Sequence, residues 1–82
     1  MRWWKAYIRG HGVYLVLDRS GQMNEDKVRL YIYNRLFDMF NRPEVSLIYL
    51  SENAELQVIF SVINKFLNGE DIVQIKPPQQ GF

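Results

Sequence analysis

Few side chains in this sequence are suited to chemistry. The 82 residues include no Cys and a single histidine, His11, which lies between Gly10 and Gly12. Without thiols, the chain offers no disulfide, thiolate zinc site, iron–sulfur cluster or thiol nucleophile. One histidine makes a His-based metal site or a Ser–His–Asp triad hard to build. We interpret His11 as an exposed turn residue and expect no cofactor and no metal.

The acidic residues do not form an obvious catalytic pair. General acid–base chemistry uses two carboxyls in different environments, whereas Glu25-Asp26 and Glu70-Asp71 are neighbours in the chain. They are typical of a helix start and a loop. The glycine-rich turn joins two predicted strands, and no Gly-Lys-Ser/Thr follows it as in a phosphate-binding loop. The sequence therefore predicts a protein that is not an enzyme and has no catalytic residue.

The best candidate binding surface lies on the first predicted strand. Residues 3–9 alternate, which places four rings and cations on one face: Trp3, Lys5, Tyr7 and Arg9. Such a face suits single-stranded nucleic acid, because rings stack on bases and cations meet phosphates. The same residue types dominate protein interfaces. In a third alternative, the rings pack under loops and the cations guard an edge strand.

Arg29 is the second candidate binding residue, because it falls inside an apolar arc of a predicted helix. It could pair with a buried acid or with a partner's carboxylate. Alternatively, its methylenes cover the helix while the guanidinium reaches water. Residues 77–82, which begin with Pro77-Pro78, are expected to form an extended tail that either frays or docks in a partner's groove.

Charge divides the chain into two halves, although the formal net charge is only +1. Residues 1–42 contain eight basic and four acidic side chains, whereas residues 43–82 contain two basic and five acidic ones. A basic half suits phosphate or an acidic partner. The alternative is a surface dipole without consequence.

Hydrophobic periodicity predicts strands at residues 3–9 and 13–18, joined as a hairpin, and at residues 45–50 and 72–76. Asn24 is expected to cap a helix that runs to about Asn41, before Pro43. The apolar stripe of this helix contains Val28, Ile32, Leu36 and Met39, widened by Leu30, Tyr33, Phe37 and Phe40.

Residues 54–67 allow two interpretations. A helix capped by Ser51 or Asn53 would gather the apolar side chains in one arc and end at Gly69. The Val-Ile-Phe run would instead suit a strand over residues 55–60. The regular spacing of the apolar residues favours the helix.

The element order β-β-α-β-α-β predicts an α/β fold, on the border of α+β, with a mixed four-stranded sheet and two helices. Right-handed crossovers would make the strands they join parallel. Residues 1–76 would form a single domain, followed by the tail. If both helices cover one face, the other face exposes apolar residues that a homodimer or a partner would bury. No stretch approaches the roughly 20 apolar residues of a membrane-spanning helix, so a soluble, cytoplasmic protein is expected.

The segment Asp18-Arg19-Ser20-Gly21-Gln22-Met23 follows a buried strand and resembles the metal loop of von Willebrand factor A-type domains. Their pattern is Asp-x-Ser-x-Ser followed by Met. The similarity extends loosely over residues 13–60 and implies a strand pair after residue 45 and a divalent-cation site. Asp18 and Ser20 would supply two oxygens, but Gln22 replaces the second Ser and the chain has no Thr. Because hard cations need several oxygens, we expect no metal.

The same stretch is similar to anti-sigma-factor antagonist (STAS) domains, which share the order β-β-α-β-α-β. Residues 21–24 would be the turn into their first helix. Ser51-Glu52-Asn53-Ala54 stands where their phospho-acceptor motif, Asp-Ser-Ser/Ala-Gly, begins the second helix. The two resemblances require different structures for residues 54–60, so at most one can hold, and we assign the chain to neither family.

Binding is the function that remains. We expect a small protein–protein interaction or regulatory module that self-associates and binds through Trp3, Lys5, Tyr7, Arg9 and Arg29. The alternative is a nucleic-acid-binding accessory protein that uses its basic, aromatic first strand.

Overall fold

The computed structural model of the chain describes residues 1–50 and 56–79. Its elements are β1 (Arg2–Ile8), β2 (Gly12–Asp18), α1 (Glu25–Leu36), β3 (Val45–Leu50), α2 (Leu56–Leu67) and β4 (Ile72–Lys76). The predicted fold class is confirmed: the order is β-β-α-β-α-β, with one four-stranded sheet, an N-terminal antiparallel hairpin and two helices. Residues 77–79 have no regular secondary structure.

The strands lie in the order β3-β1-β2-β4, and every neighbouring pair is antiparallel. The expectation of a mixed sheet with parallel neighbours is therefore wrong. The two strands joined by α1, β2 and β3, do run in the same direction, but β1 lies between them. The two strands joined by α2, β3 and β4, run in opposite directions at opposite edges of the sheet. After β3, the chain leaves the sheet at one end and enters β4 at the same end. A crossover between parallel strands would instead return to the opposite end of the sheet.

Alternate residues of β1 belong to two separate cores. Trp3 packs with Leu15, Leu17 and side chains of α2, including Ile59 and Phe66. Trp4, Ala6 and Ile8 pack with Val28 and Ile32 of α1. Because successive side chains of a strand point to opposite faces, the two helices cover opposite faces of the sheet.

The expected open sheet face is consequently wrong. A four-stranded sheet is about 15 Å wide and a helix with its side chains about 10 Å across, so α1 occupies most of the face that it covers. The chain must connect β3 at one edge to β4 at the other, and α2 makes this connection on the remaining face. The prediction of a dimer loses its original basis, since each face has its own helix.

Asn24 caps α1 as predicted, because its Oδ1 accepts the backbone N–H of Lys27 at 2.9 Å. The helix ends at Leu36, five residues before the predicted end. Phe37 already has an extended backbone, although its N–H still donates to the Tyr33 carbonyl oxygen at 3.0 Å.

The early end of α1 is explained by a loop built on Asp38. Its Oδ1 accepts the backbone N–H groups of Phe40 and Asn41, both at 2.9 Å, and its Oδ2 accepts from the Asn41 side chain at 3.1 Å. Aspartate competes in this way with helical hydrogen bonds. Met39 and Phe40, predicted to lie on the helix stripe, are instead strongly exposed, Phe40 to 89%.

The helix predicted within residues 54–67 is confirmed from Leu56 onward, and the alternative strand is wrong for residues 56–60. The proposed caps, Ser51 and Asn53, lie outside the described residues. Ile59 and Phe66 are buried against the sheet, whereas Phe60 and Leu67 are exposed. The apolar arc of α2 is thus wider than the surface it buries.

The turn between β1 and β2 uses two glycines in different ways. His11 N–H donates to the Ile8 carbonyl oxygen at 2.8 Å, and Gly10, with φ +79°, occupies the turn position that requires a positive φ. Gly12, with φ +98°, lies directly against the backbone of residues 76–78. Of the two glycines in this turn, Gly12 alone combines a positive φ with a close backbone approach.

We expect Gly12→Ala to lower the free energy of unfolding more than Gly10→Ala. At Gly12, a Cβ would overlap the Lys76 carbonyl oxygen and lie 2.8 Å from the Pro77 carbonyl carbon, so the β4 end must shift. At Gly10, a Cβ meets nothing within 4 Å, and only the backbone strain of about 1–2 kcal/mol remains. Urea unfolding of both variants measures the difference, and equal losses would contradict the close approach of the chain end.

Candidate interaction surface

Of the four residues of the predicted binding face, Trp3, Lys5 and Tyr7 share one side of β1 and Arg9 lies just beyond the strand, but Trp3 is not available for binding. The Trp3 side chain is buried, and its ring meets that of Phe66 edge to face with centroids 5.0 Å apart. Helix α2 crosses the sheet at this end, because the chain leaves β3 and enters β4 there. Trp3 is a core residue of the structure.

The other three residues remain at the surface beyond α2. Tyr7 is exposed, and the Lys5 ammonium lies 5.7 Å from the centre of its ring. The Arg9 guanidinium is 4.0 Å from the Glu44 carboxylate, and both side chains are largely exposed. Lys5 pairs across the sheet with Ile48 of β3. The part of the predicted surface that remains exposed therefore continues onto β3.

Strand β3 lies at an edge of the sheet and, in the described part of the chain, is hydrogen-bonded to another strand, β1, along one side only. Just before β3 begins, Arg9 N–H donates to the Glu44 carbonyl oxygen at 3.0 Å, which makes residues 9 and 44 a hydrogen-bonded position of the ladder. In an antiparallel ladder bonded and non-bonded pairs alternate. The backbone groups of Ser46, Ile48 and Leu50 therefore face β1. Those of Val45, Leu47 and Tyr49 point out of the sheet.

Arg29 reaches the same edge from α1. Its Nε donates to the Val45 carbonyl oxygen at 3.3 Å, and its guanidinium lies 3.3 Å from Asp26 Oδ1 and 3.8 Å from Glu25 Oε1. Both acids are exposed, so the alternative in which Arg29 pairs with a buried acid is wrong. Arg29 instead covers one outward carbonyl of β3.

The outward backbone groups of Leu47 and Tyr49 have no hydrogen-bond partner among residues 1–50 and 56–79. The side chains beside them are apolar: Ile48 is 47% exposed, and Tyr49 is 48% exposed with its ring 5.4 Å from that of Trp4. Arg2 lies over the Tyr49 ring at 5.7 Å. This edge therefore presents backbone N–H and carbonyl groups beside exposed apolar side chains.

The histidine and the two acidic pairs examined for acid–base chemistry lie in separate contacts. His11 is exposed and packs edge-on against the Phe37 ring at 4.8 Å. Glu25 and Asp26 bind Arg29, and Asp71 binds Arg19. Within the described residues there is no group of three His, Asp or Glu side chains arranged to hold a metal ion, and no pocket is found. None of the helices there is long and apolar enough to span a membrane.

The loop whose sequence resembles a metal site is held together by hydrogen bonds among its own residues. Asp18 is 2% exposed, and its Oδ1 accepts from Ser20 Oγ at 2.7 Å and from Gly21 N–H at 3.0 Å. Its Oδ2 accepts from Met23 N–H at 2.9 Å. Burial raises the pKa of Asp18, but the hydrogen bonds from Ser20, Met23 and Gly21 outweigh it and lower the pKa below 3.8. Its carboxylate oxygens organise the turn into α1.

A second polar cluster was not predicted. Arg19 Nε donates to Asp71 Oδ1 at 2.9 Å, Tyr31 donates to Asp71 Oδ2 at 3.0 Å, and Arg35 donates to the Tyr31 hydroxyl at 2.8 Å. Burial, the hydrogen bond to Asp71 and its negative charge raise the pKa of Tyr31. These residues are far apart in the sequence, so only the fold reveals the cluster. The cluster connects the loop after β2 and the loop before β4 to helix α1.

Comparison of the chain with protein-family models, curated proteins and solved structures gives no significant match. The geometry of the surface is therefore the basis for inferring function.

We expect Asp18→Asn to lower the free energy of unfolding by about 1–3 kcal/mol at pH 7, because an amide nitrogen would face a backbone N–H in a buried site. The folded-state pKa of Asp18 lies below its ordinary value of 3.8. Its stabilising contribution is therefore complete above about pH 5 and is lost as the pH falls through the folded-state pKa. Urea unfolding of both proteins from about pH 7 to about pH 2.5 tests this. A difference that stays constant over this range would contradict it.

Proposed function

We propose that this protein is a non-enzymatic interaction or regulatory module that binds protein through the free edge of β3 and self-associates. The observation that carries the proposal is the row of outward backbone groups at Leu47 and Tyr49, which have no partner among the described residues. An exposed, apolar edge strand is a template for another strand. Proteins that bind extended segments commonly add them to such an edge.

The side chains around the edge support a protein partner. Tyr7, Ile48 and Tyr49 are all between 41% and 48% exposed, and tyrosine is enriched where interfaces gain most of their affinity. Apolar side chains beside a backbone edge allow a bound strand to bury surface as well as form hydrogen bonds. In this proposal the apolar side chains contribute affinity, and the backbone groups fix the direction in which a bound strand runs.

A second exposed feature is the loop that follows the C-terminal end of α1. Met39 and Phe40 project from the turn that Asp38 holds by three hydrogen bonds. Because the turn is already ordered, covering these side chains adds little cost in backbone conformational freedom. This loop supports a protein-binding role without identifying a partner.

The nucleic-acid alternative has less support from the geometry. Base stacking needs accessible rings, and Trp3, the larger ring of the predicted face, is packed against Phe66. Tyr7 and Arg9 remain at that surface, and Arg9 lies near Glu44. We therefore retain protein binding as the proposal. The cysteine-free composition supports the further proposal that the protein acts in the cytoplasm.

We expect the mass measured by light scattering or sedimentation to rise from monomer toward dimer between about 5 and 500 µM, the range in which small interfaces dissociate. Ile48→Lys should keep the protein monomeric, because it places a charge at the free edge. Leu67→Lys is the matched control, since Leu67 is an exposed apolar residue on α2. A monomer at all concentrations, with native circular dichroism, would contradict self-association.

A further inference from the structure

The free edge of β3 has a pattern of backbone groups that another copy of β3 would match. Leu47 and Tyr49 each present one N–H and one carbonyl oxygen away from β1. The intervening residue, Ile48, directs its own backbone groups toward Lys5 of β1. Two such strands, related by a two-fold axis, would run antiparallel. In this arrangement Leu47 of each copy bonds to Tyr49 of the other, which makes four hydrogen bonds.

The two edges of the sheet are guarded to different extents. The β4 edge has an irregular register opposite Val13 and Tyr14, ends with Lys76, and continues into Pro77-Pro78. Bulges, lysines and prolines are the usual devices that prevent an edge from pairing. The sequence of β3, Val-Ser-Leu-Ile-Tyr-Leu, contains no charge, glycine or proline. Pairing is therefore opposed at one edge and left open at the other.

The uncharged character of β3 favours a second copy as the occupant. A charged residue near a two-fold axis would face its own like charge, which destabilises a cross-strand pair. Here the residue on the axis is Ile48, and on the other face of the sheet Leu47 of each copy lies directly opposite Tyr49 of the other. An aromatic–aliphatic pair across antiparallel strands is stabilising. The strand is thus compatible with itself on both faces.

Arg29 selects the register of this pairing. If the axis passed through Leu47 instead, the outward groups of Val45 would have to bond to Tyr49 of the other copy. The Val45 carbonyl oxygen already accepts a hydrogen bond from Arg29 Nε at 3.3 Å. The Arg29 guanidinium is further held by Glu25 and Asp26. Pairing centred on Ile48 uses Leu47 and Tyr49 and leaves this contact intact.

We infer that two copies of this chain join their β3 strands antiparallel, with Ile48 on the two-fold axis, into one continuous eight-stranded sheet. The inference rests on the proposed self-association and identifies the surface that performs it. Ile48 forms a bonded pair with Lys5, so it would form a non-bonded pair with Ile48 of the other copy, where Cα atoms lie about 4.5 Å apart. This separation is within the range of a disulfide.

The absence of cysteine makes a cross-linking test direct. We expect Ile48→Cys to form a covalent dimer under mild oxidation at least about tenfold faster than Ser46→Cys, because pairing brings the two introduced thiols to a high effective concentration. Ser46 is exposed and lies on the same face of β3. In the inferred register it is opposite Leu50 of the other copy and far from the second residue 46. Non-reducing gels measure both rates, and light scattering of the unmodified protein is run in parallel.

The outcomes separate this inference from the proposed function. Rapid cross-linking of Ile48→Cys alone, with a concentration-dependent dimer, supports both. A dimer in which the two cysteine variants cross-link at the same rate overturns the β3 pairing and leaves self-association through another surface. A protein that stays monomeric at every concentration, with slow cross-linking of both variants, overturns both the pairing and self-association.

Discussion

The structure depends on the pairing of β1 along both of its edges. Because β2 and β3 bond to β1 on either side, the direction of every side chain of β1 is determined. Trp3 lies in the core under α2, and Trp4 lies in the core under α1. A shift of one residue in the pairing would exchange these two rings between the cores. Two helices that cover opposite faces of the sheet are thus placed by one strand.

Local features of the fold could be predicted from the sequence, whereas long-range pairing could not. The alternation of residues 3–9, the Asn24 cap and the spacing of apolar residues in α2 act within a few residues of one another. The order of the strands depends on contacts between residues 3 and 50 or 15 and 73, which leave no local pattern. The sequence contains two residues that can end α1, Asp38 and Pro43. The helix ends just before the earlier one, because the Asp38 side chain caps the turn that follows.

The candidate surface could be predicted only in part, again because local patterns do not reveal long-range contacts. Lys5, Tyr7 and Arg9 lie at the surface as their alternation indicates, but Trp3 is covered because α2 crosses that end of the sheet. Strand β3 is apolar on both faces, which is typical of a central strand, yet it lies at an edge. The proposed binding depends on the outward backbone groups of this strand, and these have no signature in residue types. Arg29 stands out in the sequence as a cation within an apolar arc, but its contacts with a carbonyl oxygen of β3 and with two acidic side chains of α1 have to be read from the structure.

The placement of the two neighbouring tryptophans has a spectroscopic consequence. Trp3 reports on the layer formed with α2 through its contact with Phe66, and Trp4 reports on the layer formed with α1 and on the Tyr49 ring. The indole N–H of Trp4 is buried without a hydrogen-bond partner in residues 1–50 and 56–79, so its emission belongs to an apolar environment. Replacing either indole by phenylalanine leaves a single tryptophan, whose emission can be excited separately from that of the five tyrosines. The chain therefore contains one optical reporter for each side of its sheet.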